Sequence, residues 1–318
     1  MTRHFLGIGD LTRSTAEDIL QRAAFLKTEL SAAMARRARQ HPHLNGQTIA
    51  MIFEKPSLRT RCSFEVGVFQ LGGHAVNLPA GDIGRLGERE SICDFARNLS
   101  QWCQMIEARV FSHENVVELA HFATIPVING LSDFEHPTQA FADYLTIQEK
   151  LGRLTNFHLA WIGDCFNVSN SLMLMACLFG NKMTIACPEG YEPSQRIWSL
   201  CEKLNPEARQ LIKVLRDPYE AVADADVLYT DTWVSMGFED QSVQRFQDFQ
   251  GYQINKQLVE HAPRHAFVMH DMPAYRGKEI TGEVLDGPRC AAYQQAENRL
   301  HAIKAIMTWC AEVSLTGG

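Results

Sequence analysis

The chain has 318 residues, of which 46% are apolar, so it can bury one large hydrophobic core or two moderate ones. Its formal net charge of −7 argues against nucleic acid or an anionic membrane as a partner. No segment is apolar for long enough to span a bilayer, and the N-terminus lacks the apolar core of a signal peptide. Nine cysteines without a Cys-x-x-Cys pair indicate reduced thiols in a cytoplasmic protein, not a disulfide framework or a zinc site.

The first predicted helix begins at Ser14. Residues 14–17 read Ser-Thr-Ala-Glu, which is a capping box with Ser14 as the N-cap and the Glu17 side chain reaching back to it. Apolar residues follow at helical spacing, so this helix should bury one face.

Short apolar runs alternate with helical segments along the rest of the chain. The runs that predict strands are 48–53, 74–78, 105–111, 125–128, 158–163, 183–187, 212–215, 226–230 and 266–270. Strands that alternate with helices predict parallel, doubly wound sheets. A long helical stretch at 136–150 separates two such series. The predicted fold class is therefore α/β, with two doubly wound parallel-sheet domains.

The segment 53–61 places hydroxyl and guanidinium groups directly after the first strand. Ser57, Arg59, Thr60 and Arg61 lie between this strand and a helix that is predicted to begin after Arg61. The N–H groups and the positive end of a helix favour an anion, and arginines add charge-assisted hydrogen bonds. The sequence therefore predicts a phosphate pocket here. A solvated basic loop is the alternative, and for Arg61 a structural ion pair is equally compatible with the pattern.

Polar residues also follow the other strands. In open parallel sheets, ligands bind beyond the carboxyl ends of the strands. The groups found there are Arg109 and the segments 164–167, 231–237 and 271–273. We expect the loops of the two domains to face each other across a cleft.

The residues His136-Pro137-Thr138-Gln139 open the helical stretch at 136–150. Pro137 suits the first helical position, where its missing N–H costs little. His136 and Gln139 are three residues apart, so their side chains should point the same way. A single histidine is more often structural, but this pairing favours a ligand contact.

Four separate motifs, in this order, resemble those of the aspartate/ornithine carbamoyltransferase family. They are the segments 53–61, 136–139, 231–237 and 297–299, and the resemblance runs from about residue 3 to about residue 310. The triplet at 235–237 and the segment 129–133 are similar to the ornithine branch. The resemblance implies an enzyme of amino-acid (arginine) biosynthesis that binds carbamoyl phosphate, then L-ornithine, and releases citrulline and phosphate. It implies no metal and no organic cofactor.

The resemblance also implies a domain arrangement. Residues 1–135 would form the carbamoyl phosphate-binding domain, 136–150 an interdomain helix, and 151–290 the acceptor-binding domain. Residues 291–318 would form a C-terminal helix that returns to the first domain. The family further implies a homotrimer. Arg85, in the glycine-punctuated segment 82–88, is the candidate to reach into the neighbouring subunit's site, and a solvated loop charge is the alternative.

The family pattern transfers to two sets of site residues. For carbamoyl phosphate these are Ser57, Leu58 through its backbone N–H, Arg59, Thr60, Arg109, His136, Gln139 and Arg299. For the acceptor they are Asn167, Asp231, Ser235, Met236, Asp271 and Met272. Asp231 suits an α-ammonium, whereas Ser235 and the backbone of Met236 suit an α-carboxylate. Arg109, His136, Asp271 and Arg299 are the residues expected to act in catalysis.

Three places depart from the family pattern. Leu58 stands where most relatives carry a small hydroxyl residue, and Cys165-Phe166 stand where Gly-Asn is common. Asp271 stands where ornithine enzymes usually have the cysteine of His-Cys-Leu-Pro. A carboxylate there leaves other acceptors open, such as an acylated ornithine, a shorter diamino acid or a diamine. Two further alternatives are a non-catalytic ligand-binding relative and an Asp271 that turns away to cap a backbone N–H.

Overall fold

The computed structural model describes residues 2–36, 43–235 and 237–312. The chain divides into two compact units, Met1–Leu145 with Asn298–Gly318 and Thr146–Glu297. Each unit is built on its own parallel sheet, which confirms the predicted α/β class. Among the described residues, none of the helices combines the length and apolar character that crossing a membrane requires.

The first unit contains a four-stranded sheet. Its strands are β1 (Thr48–Phe53), β2 (His74–Pro79), β3 (Met105–Arg109) and β4 (Val127–Leu131). They are parallel and lie in the order β2-β1-β3-β4. The helices are α1 (Arg13–Arg36), α2 (Leu58–Gln70), α3 (Ala80–Ile83), α4 (Ile92–Trp102), α5 (His113–Phe122) and the start of α6 (Pro137–Leu151).

One face of this sheet packs on α4, and the other face carries a buried acid beside apolar side chains. Ile106 and Ala108 of β3 belong to a buried cluster with Ala96 and Leu99, which lie one turn apart on α4. Because side chains alternate along a strand, the other face of β3 carries Glu107 together with Arg109 at its carboxyl end. Packing of the apolar face of β3 against α4 therefore fixes the strand that positions Arg109.

The second unit contains a five-stranded sheet. Its strands are β5 (His158–Ile162), β6 (Lys182–Ala186), β7 (Ile212–Leu215), β8 (Val227–Thr230) and β9 (Phe267–His270). They are parallel, in the order β7-β6-β5-β8-β9. The helices are the end of α6, α7 (Asn167–Phe179), α8 (Gln195–Leu204), α9 (Ala208–Leu211), α10 (Pro218–Val222), α11 (Ser242–Asp248), α12 (Lys256–His261), α13 (Gly282–Leu285) and the start of α14 (Ala292–Ala311).

The strand order of the second unit reverses between β5 and β8. Such a reversal leaves a crevice at the carboxyl ends of the two strands, where ligands of doubly wound sheets bind. Asn167 follows β5 and Asp231 follows β8, so both lie at this reversal. The topology therefore brings two predicted acceptor residues to one edge.

Helix α14 begins in the second unit and belongs to the first from Asn298 onward, which confirms the predicted return of the C-terminal helix. In the first unit it packs against α2. A Cβ at Gly67 would lie 3.2 Å from Cε of Met307 and 3.3 Å from Cγ of Lys304, so the missing side chain lets the two helices approach. The predicted domain boundaries at 135, 150 and 290 stay a prediction.

The predicted start of α1 was wrong. This helix begins at Arg13, and Oγ1 of Thr12 accepts a hydrogen bond from the Thr15 N–H at 3.2 Å. Glu17 does not reach back to Ser14, because Nε of Arg13 lies 2.9 Å from its carboxylate and offers a charged partner one turn away. A second hydroxyl just upstream thus replaced the expected cap.

The predicted start of α2 was also wrong. This helix begins at Leu58, directly after an extended Ser57 (φ −152°, ψ 117°), and not after Arg61. Arg59 and Thr60 therefore lie in the first turn, where backbone N–H groups have no partner within the helix. This start favours an anion more directly than the predicted one, because the N–H groups belong to the motif itself.

Candidate active site

Two arginines of the first unit converge on one hydroxyl. Oγ1 of Thr60 accepts from Nη1 of Arg109 at 3.2 Å and from Nη2 of Arg299 at 3.0 Å. The three residues come from α2, the end of β3 and α14, and all are buried. The structure therefore brings together three of the residues predicted for the phosphate.

His136 and Gln139 lie against the same arginine. Nη1 of Arg299 contacts Nε2 of His136 at 3.1 Å and donates to Oε1 of Gln139. Their side chains thus point the same way, as the three-residue spacing predicts. Nε2 of Gln139 in turn donates to Asp143 at 2.8 Å, which fixes the orientation of the amide.

The contacts of His136 determine which ring nitrogen carries the proton. A guanidinium can only donate, so Nε2 must accept from Arg299 and the proton of the neutral ring sits on Nδ1. Nδ1 lies 3.3 Å from Oγ1 of Thr138, and that hydroxyl lies 3.4 Å from the carbonyl oxygen of Gly130. A hydrogen-bonded series therefore runs from Arg299 through His136 to the backbone of β4.

The charge of this cluster is set by burial and by its arginines. Burial, together with the charges of Arg299 and Arg109, holds the pKa of His136 well below its usual range. His136 is therefore neutral at physiological pH. Two guanidinium groups beside a neutral ring leave a positive site that suits a dianion.

The remaining phosphate candidates lie at the N-terminus of α2. Ser57 precedes the helix, and its hydroxyl makes no capping bond to it. Leu58 is the first helical residue and its side chain is 72% exposed, so it can offer its backbone without the side chain intruding. Arg59 is partly buried, whereas Arg61 is exposed and its Nε lies 2.8 Å from Glu65. The structure thus places Arg61 in a surface ion pair.

Arg85 lies on the glycine-punctuated segment 82–88. Its guanidinium lies 4.5 Å from the ring centroid of Phe111, over which Nζ of Lys55 also lies, at 4.3 Å. The carboxylate of Glu54 accepts from the N–H of Leu86 and from that of Phe111, each at 2.7 Å. These contacts hold the segment at the carboxyl ends of β1 and β3 in its own unit.

In the second unit, two carboxylates lie side by side. Ligand atoms of Asp231, His270 and Asp271 all lie within 4.8 Å of one another. Burial, the charge of Asp271 and a hydrogen bond to Asp271 raise the pKa of Asp231 well above its usual range. The charge of one carboxylate thus favours the protonated form of the other. Asp271 therefore points toward Asp231.

His270 stands behind this pair and is fully buried. Its Nε2 lies 3.2 Å from Glu279. Its Nδ1 lies 2.9 Å from the Met272 nitrogen and can accept from that N–H only in the neutral ring; once protonated, Nδ1 can donate only to Asp271, whose carboxylate lies 3.5 Å away. Burial alone would lower the pKa of His270. The hydrogen bonds to Asp271 and Glu279 and the charges of Asp271 and Asp231 outweigh it and raise the pKa to about 9.

The spacing of Asp231, His270 and Asp271 also suits a metal ion. A histidine ligand must present an unprotonated nitrogen, and both ring nitrogens of His270 are engaged by Glu279 and by the Met272 N–H. The two aspartates are engaged with each other. We therefore assign no metal to this cluster.

The other acceptor candidates lie near the same edge. Asn167 is buried at the first position of α7, Ser235 is partly buried, and Met272 packs on the apolar core. Met236 lies outside the described residues. The loop that carries Ser235 is anchored by buried Arg245, which donates to the carbonyl oxygen of Trp233 at 3.0 Å and pairs with Asp164 at 2.6 Å.

Sequence reasoning missed several supporting residues. Asp143 is four positions after Gln139 on one helix, a spacing that could have revealed the pair. Glu107 is an acid within a predicted buried strand, which is unusual and is visible in the sequence. Glu279 is nine positions after His270 and Arg245 is 81 positions after Asp164, and no local pattern identifies either contact.

Two family models match the chain. The aspartate/ornithine carbamoyltransferase, carbamoyl-P binding domain, matches residues 3–149, and the aspartate/ornithine carbamoyltransferase, Asp/Orn binding domain, matches residues 155–310. The ornithine carbamoyltransferase of Thermococcus kodakarensis is 46% identical over 305 residues, which is 96% of this chain and 95% of that protein. The ornithine carbamoyltransferase of Methanothermobacter thermautotrophicus is 52% identical over 266 residues, 84% and 88% of the two chains. A solved structure, the ornithine carbamoyltransferase from Pyrococcus furiosus, is similar with a TM-score of 0.89 at 44% identity and covers 96% of each chain.

Proposed function

Because the chain belongs to the aspartate/ornithine carbamoyltransferase family, we propose that it transfers the carbamoyl group of carbamoyl phosphate to L-ornithine, in arginine biosynthesis. The products are L-citrulline and phosphate. The observation that carries this proposal is the convergence of Arg109 and Arg299 on Thr60, beside His136 and Gln139. Two guanidinium groups at a helix N-terminus match the charge of a phosphate dianion.

Carbamoyl phosphate is held by its phosphate and by its carbamoyl group. The backbone N–H groups of the first turn of α2, with the side chains of Ser57, Arg59 and Thr60, bind the phosphate oxygens. Arg109 and Arg299 supply further charge and stabilise the negative charge that develops on the carbamoyl oxygen. The Gln139 side chain meets the carbamoyl amide.

His136 acts as a hydrogen-bond donor to the carbamoyl oxygen. In the structure its Nε2 accepts from Arg299, so donation requires the proton on Nε2 and a shift of the Arg299 guanidinium toward the substrate. The low pKa of His136 suits this role, because a neutral ring can donate without charging the site. The hydroxyl of Thr138 can then donate to the bare Nδ1.

The acceptor is bound through its charged ends. Ser235 and the backbone of Met236 hold the α-carboxylate, and Asn167 and Asp231 hold the α-ammonium. Asp271 and the backbone at Met272 meet the side-chain amine. Its neutral form attacks the carbamoyl carbon, the C–O bond to phosphate breaks, and the amine proton passes to the carboxylate pair.

Asp271 favours a cationic amine as the acceptor. A second carboxylate beside Asp231 opposes a negatively charged side chain, which weighs against aspartate. An acylated ornithine, a shorter diamino acid and a diamine also offer an amine to these carboxylates. They differ from ornithine in chain length or in the charge at the other end. The acceptor must therefore be identified by a panel of amines.

The enzyme works as a homotrimer in which Arg85 acts in the neighbouring subunit's site. Support comes from β2, an edge strand of its sheet, and from the apolar side chains beside it: Phe69 is 80% exposed, and Val66 and Val76 are also exposed. An exposed edge with apolar neighbours is typical of a surface covered by a partner.

The cytoplasm is the expected location. All nine cysteines lie in the described residues, and none of them forms a disulfide there. Nine cysteines without a disulfide are typical of a reducing compartment.

The proposal is tested by incubating the full chain with carbamoyl phosphate and each of ornithine, N-acetylornithine, diaminobutyrate and putrescine. Phosphate release and ureido product are measured at several pH values. We expect the highest kcat/KM with ornithine. If ornithine gives no citrulline while another amine reacts well, the acceptor assignment is wrong. If carbamoyl phosphate binds and no amine accelerates phosphate release, the chain is a binding protein and not a transferase.

A further inference from the structure

Glu107 is a fully buried acid that the proposed mechanism does not use. It lies in the middle of β3, and its side chain is 0% exposed. Neither of its carboxyl oxygens makes a hydrogen bond within the part of the chain that the structure describes. A buried, unbonded carboxyl is costly, so its retention needs a physical explanation.

The register of the sheet determines the position of Glu107. Its register partners are Met51 on β1 and Ile128 on β4. The pairing of β3 with β4 shifts after Ala108, so that Gly130 is the extra residue of β4. A Cβ at Gly130 would overlap Oε1 of Glu107, and the glycine therefore makes room for the carboxyl.

Glu107 is next to the arginines of the candidate active site. Arg109 is two residues along the same strand, so both side chains leave the same face of the sheet. The charged groups that act on Glu107 are Arg109 and Arg299, of β3 and α14. His136, at the start of α6, faces the same arginines and is neutral. The acid thus lies on the sheet face that carries Arg109, and the charges of both arginines act on it.

We propose that Glu107 is a positioning residue that sets the affinity of the Arg109–Arg299 pair for a phosphate dianion. The ionised carboxylate offsets part of the arginine charge and so weakens the attraction for the dianion. The protonated acid does not offset this charge. The inference rests on the proposed function, in which these arginines supply positive charge to the carbamoyl phosphate site.

The protonation of Glu107 couples this effect to pH. Burial raises the pKa of Glu107 well above its usual range, although the charges of Arg109 and Arg299 oppose the shift. A dianion beside the arginines favours the neutral acid, so ligand binding draws a proton onto Glu107. Affinity for the dianion is therefore highest where Glu107 is protonated and falls as the pH rises through its pKa.

The test compares phosphate binding by the full chain and by Glu107→Gln, using calorimetry from about pH 6 to about pH 9.5. Phosphate changes its own ionisation over this range, but that change is common to both proteins and cancels in the ratio of their Kd values. We expect similar Kd values at the acidic end and about tenfold tighter binding by Glu107→Gln at the alkaline end. Met51→Leu, a neutral change at the register partner on β1, is the control and should leave the ratio near one.

A second neutral variant separates the effect of the charge from a folding defect of Glu107→Gln. Glu107→Met removes both the charge and the buried polar atoms, and it should show the same rise in the ratio with pH. A ratio that stays flat across the range, or weaker phosphate binding by both neutral variants, overturns the inference while leaving the proposed function intact. If the unmodified chain binds neither phosphate nor carbamoyl phosphate at any pH, the phosphate site itself is wrong and the inference falls with it.

Discussion

Nη2 of Arg299 donates to Oγ1 of Thr60 at 3.0 Å, although the two residues are 239 positions apart in the chain. Arg109 donates to the same oxygen from the end of β3. A threonine hydroxyl thus holds two guanidinium groups that would otherwise repel each other. This arrangement exists only because α14 returns to the first unit.

Thr60→Val should remove this shared acceptor while keeping the side chain's shape. Hydrogen bonds to charged groups contribute about 1.5–3 kcal/mol, so we expect kcat/KM for carbamoyl phosphate to fall by roughly tenfold to a hundredfold. Thr60→Ser keeps the hydroxyl and should retain most of the activity. Steady-state kinetics on the two variants checks this, and an unchanged kcat/KM in a folded Thr60→Val protein would show that the hydroxyl does not position the arginines.

Arg59→Ala should weaken carbamoyl phosphate binding by on the order of 2–4 kcal/mol, because it removes a charge-assisted contact at the helix N-terminus. Arg61→Ala is the matched control, since its guanidinium is exposed and paired with Glu65. Calorimetry should give a Kd for Arg61→Ala close to that of the unmodified chain. Equal affinities of Arg59→Ala and the unmodified chain for carbamoyl phosphate would contradict the assignment of Arg59 to its binding.

Asp271→Cys should move the pH optimum of the reaction downward. The carboxylate stabilises the ammonium form of the acceptor and raises its pKa, whereas only the neutral amine attacks. Removing the charge should also weaken acceptor binding, which raises KM for ornithine. The measurement is the pH profile of kcat and kcat/KM at saturating carbamoyl phosphate. If the profile and KM both stay as they were, Asp271 does not meet the reacting amine.

Light scattering should give the mass of three chains. Phe69→Lys places a charge on the exposed apolar surface beside β2 and should shift the mass toward the monomer. A mixture of inactive Arg59→Ala and Arg85→Ala chains should regain part of the activity if Arg85 acts across the interface. A fully active monomer contradicts the trimer, and mixed oligomers without activity contradict the shared site.

Alkaline pH should destabilise the second unit through His270. The folded-state pKa of about 9 lies above the unfolded value of about 6.5, so this contribution is complete below about pH 6.5 and is lost as the pH rises through about 9. The difference corresponds to roughly 3 kcal/mol at most. Glu279→Gln weakens one of the hydrogen bonds that raise the pKa, and its urea midpoint should fall less steeply between these pH values. Identical slopes for both proteins would show that His270 is not the group that titrates.

Sequence alone determined the α/β class and the series of strands, because alternation of apolar runs with helical spacing is a local property. It also indicated that His136 and Gln139 share a direction, since helix geometry imposes it at three-residue spacing. The capping box at Ser14 was wrong for a reason equally local, because Thr12 offered a hydroxyl that the pattern did not weigh.

Only the tertiary structure decided which charged groups meet. Arg299, in a helix of the C-terminal segment, carries no local signal that distinguishes it from a solvated arginine, and it becomes a site residue through its contacts with Thr60 and His136. The direction of Asp271 toward Asp231 and the burial of Glu107 beside two arginines likewise depend on strands brought together by the sheets. Local patterns follow from neighbours in sequence, whereas the charge and protonation of a site follow from neighbours in space, because burial and nearby charges act through distance alone.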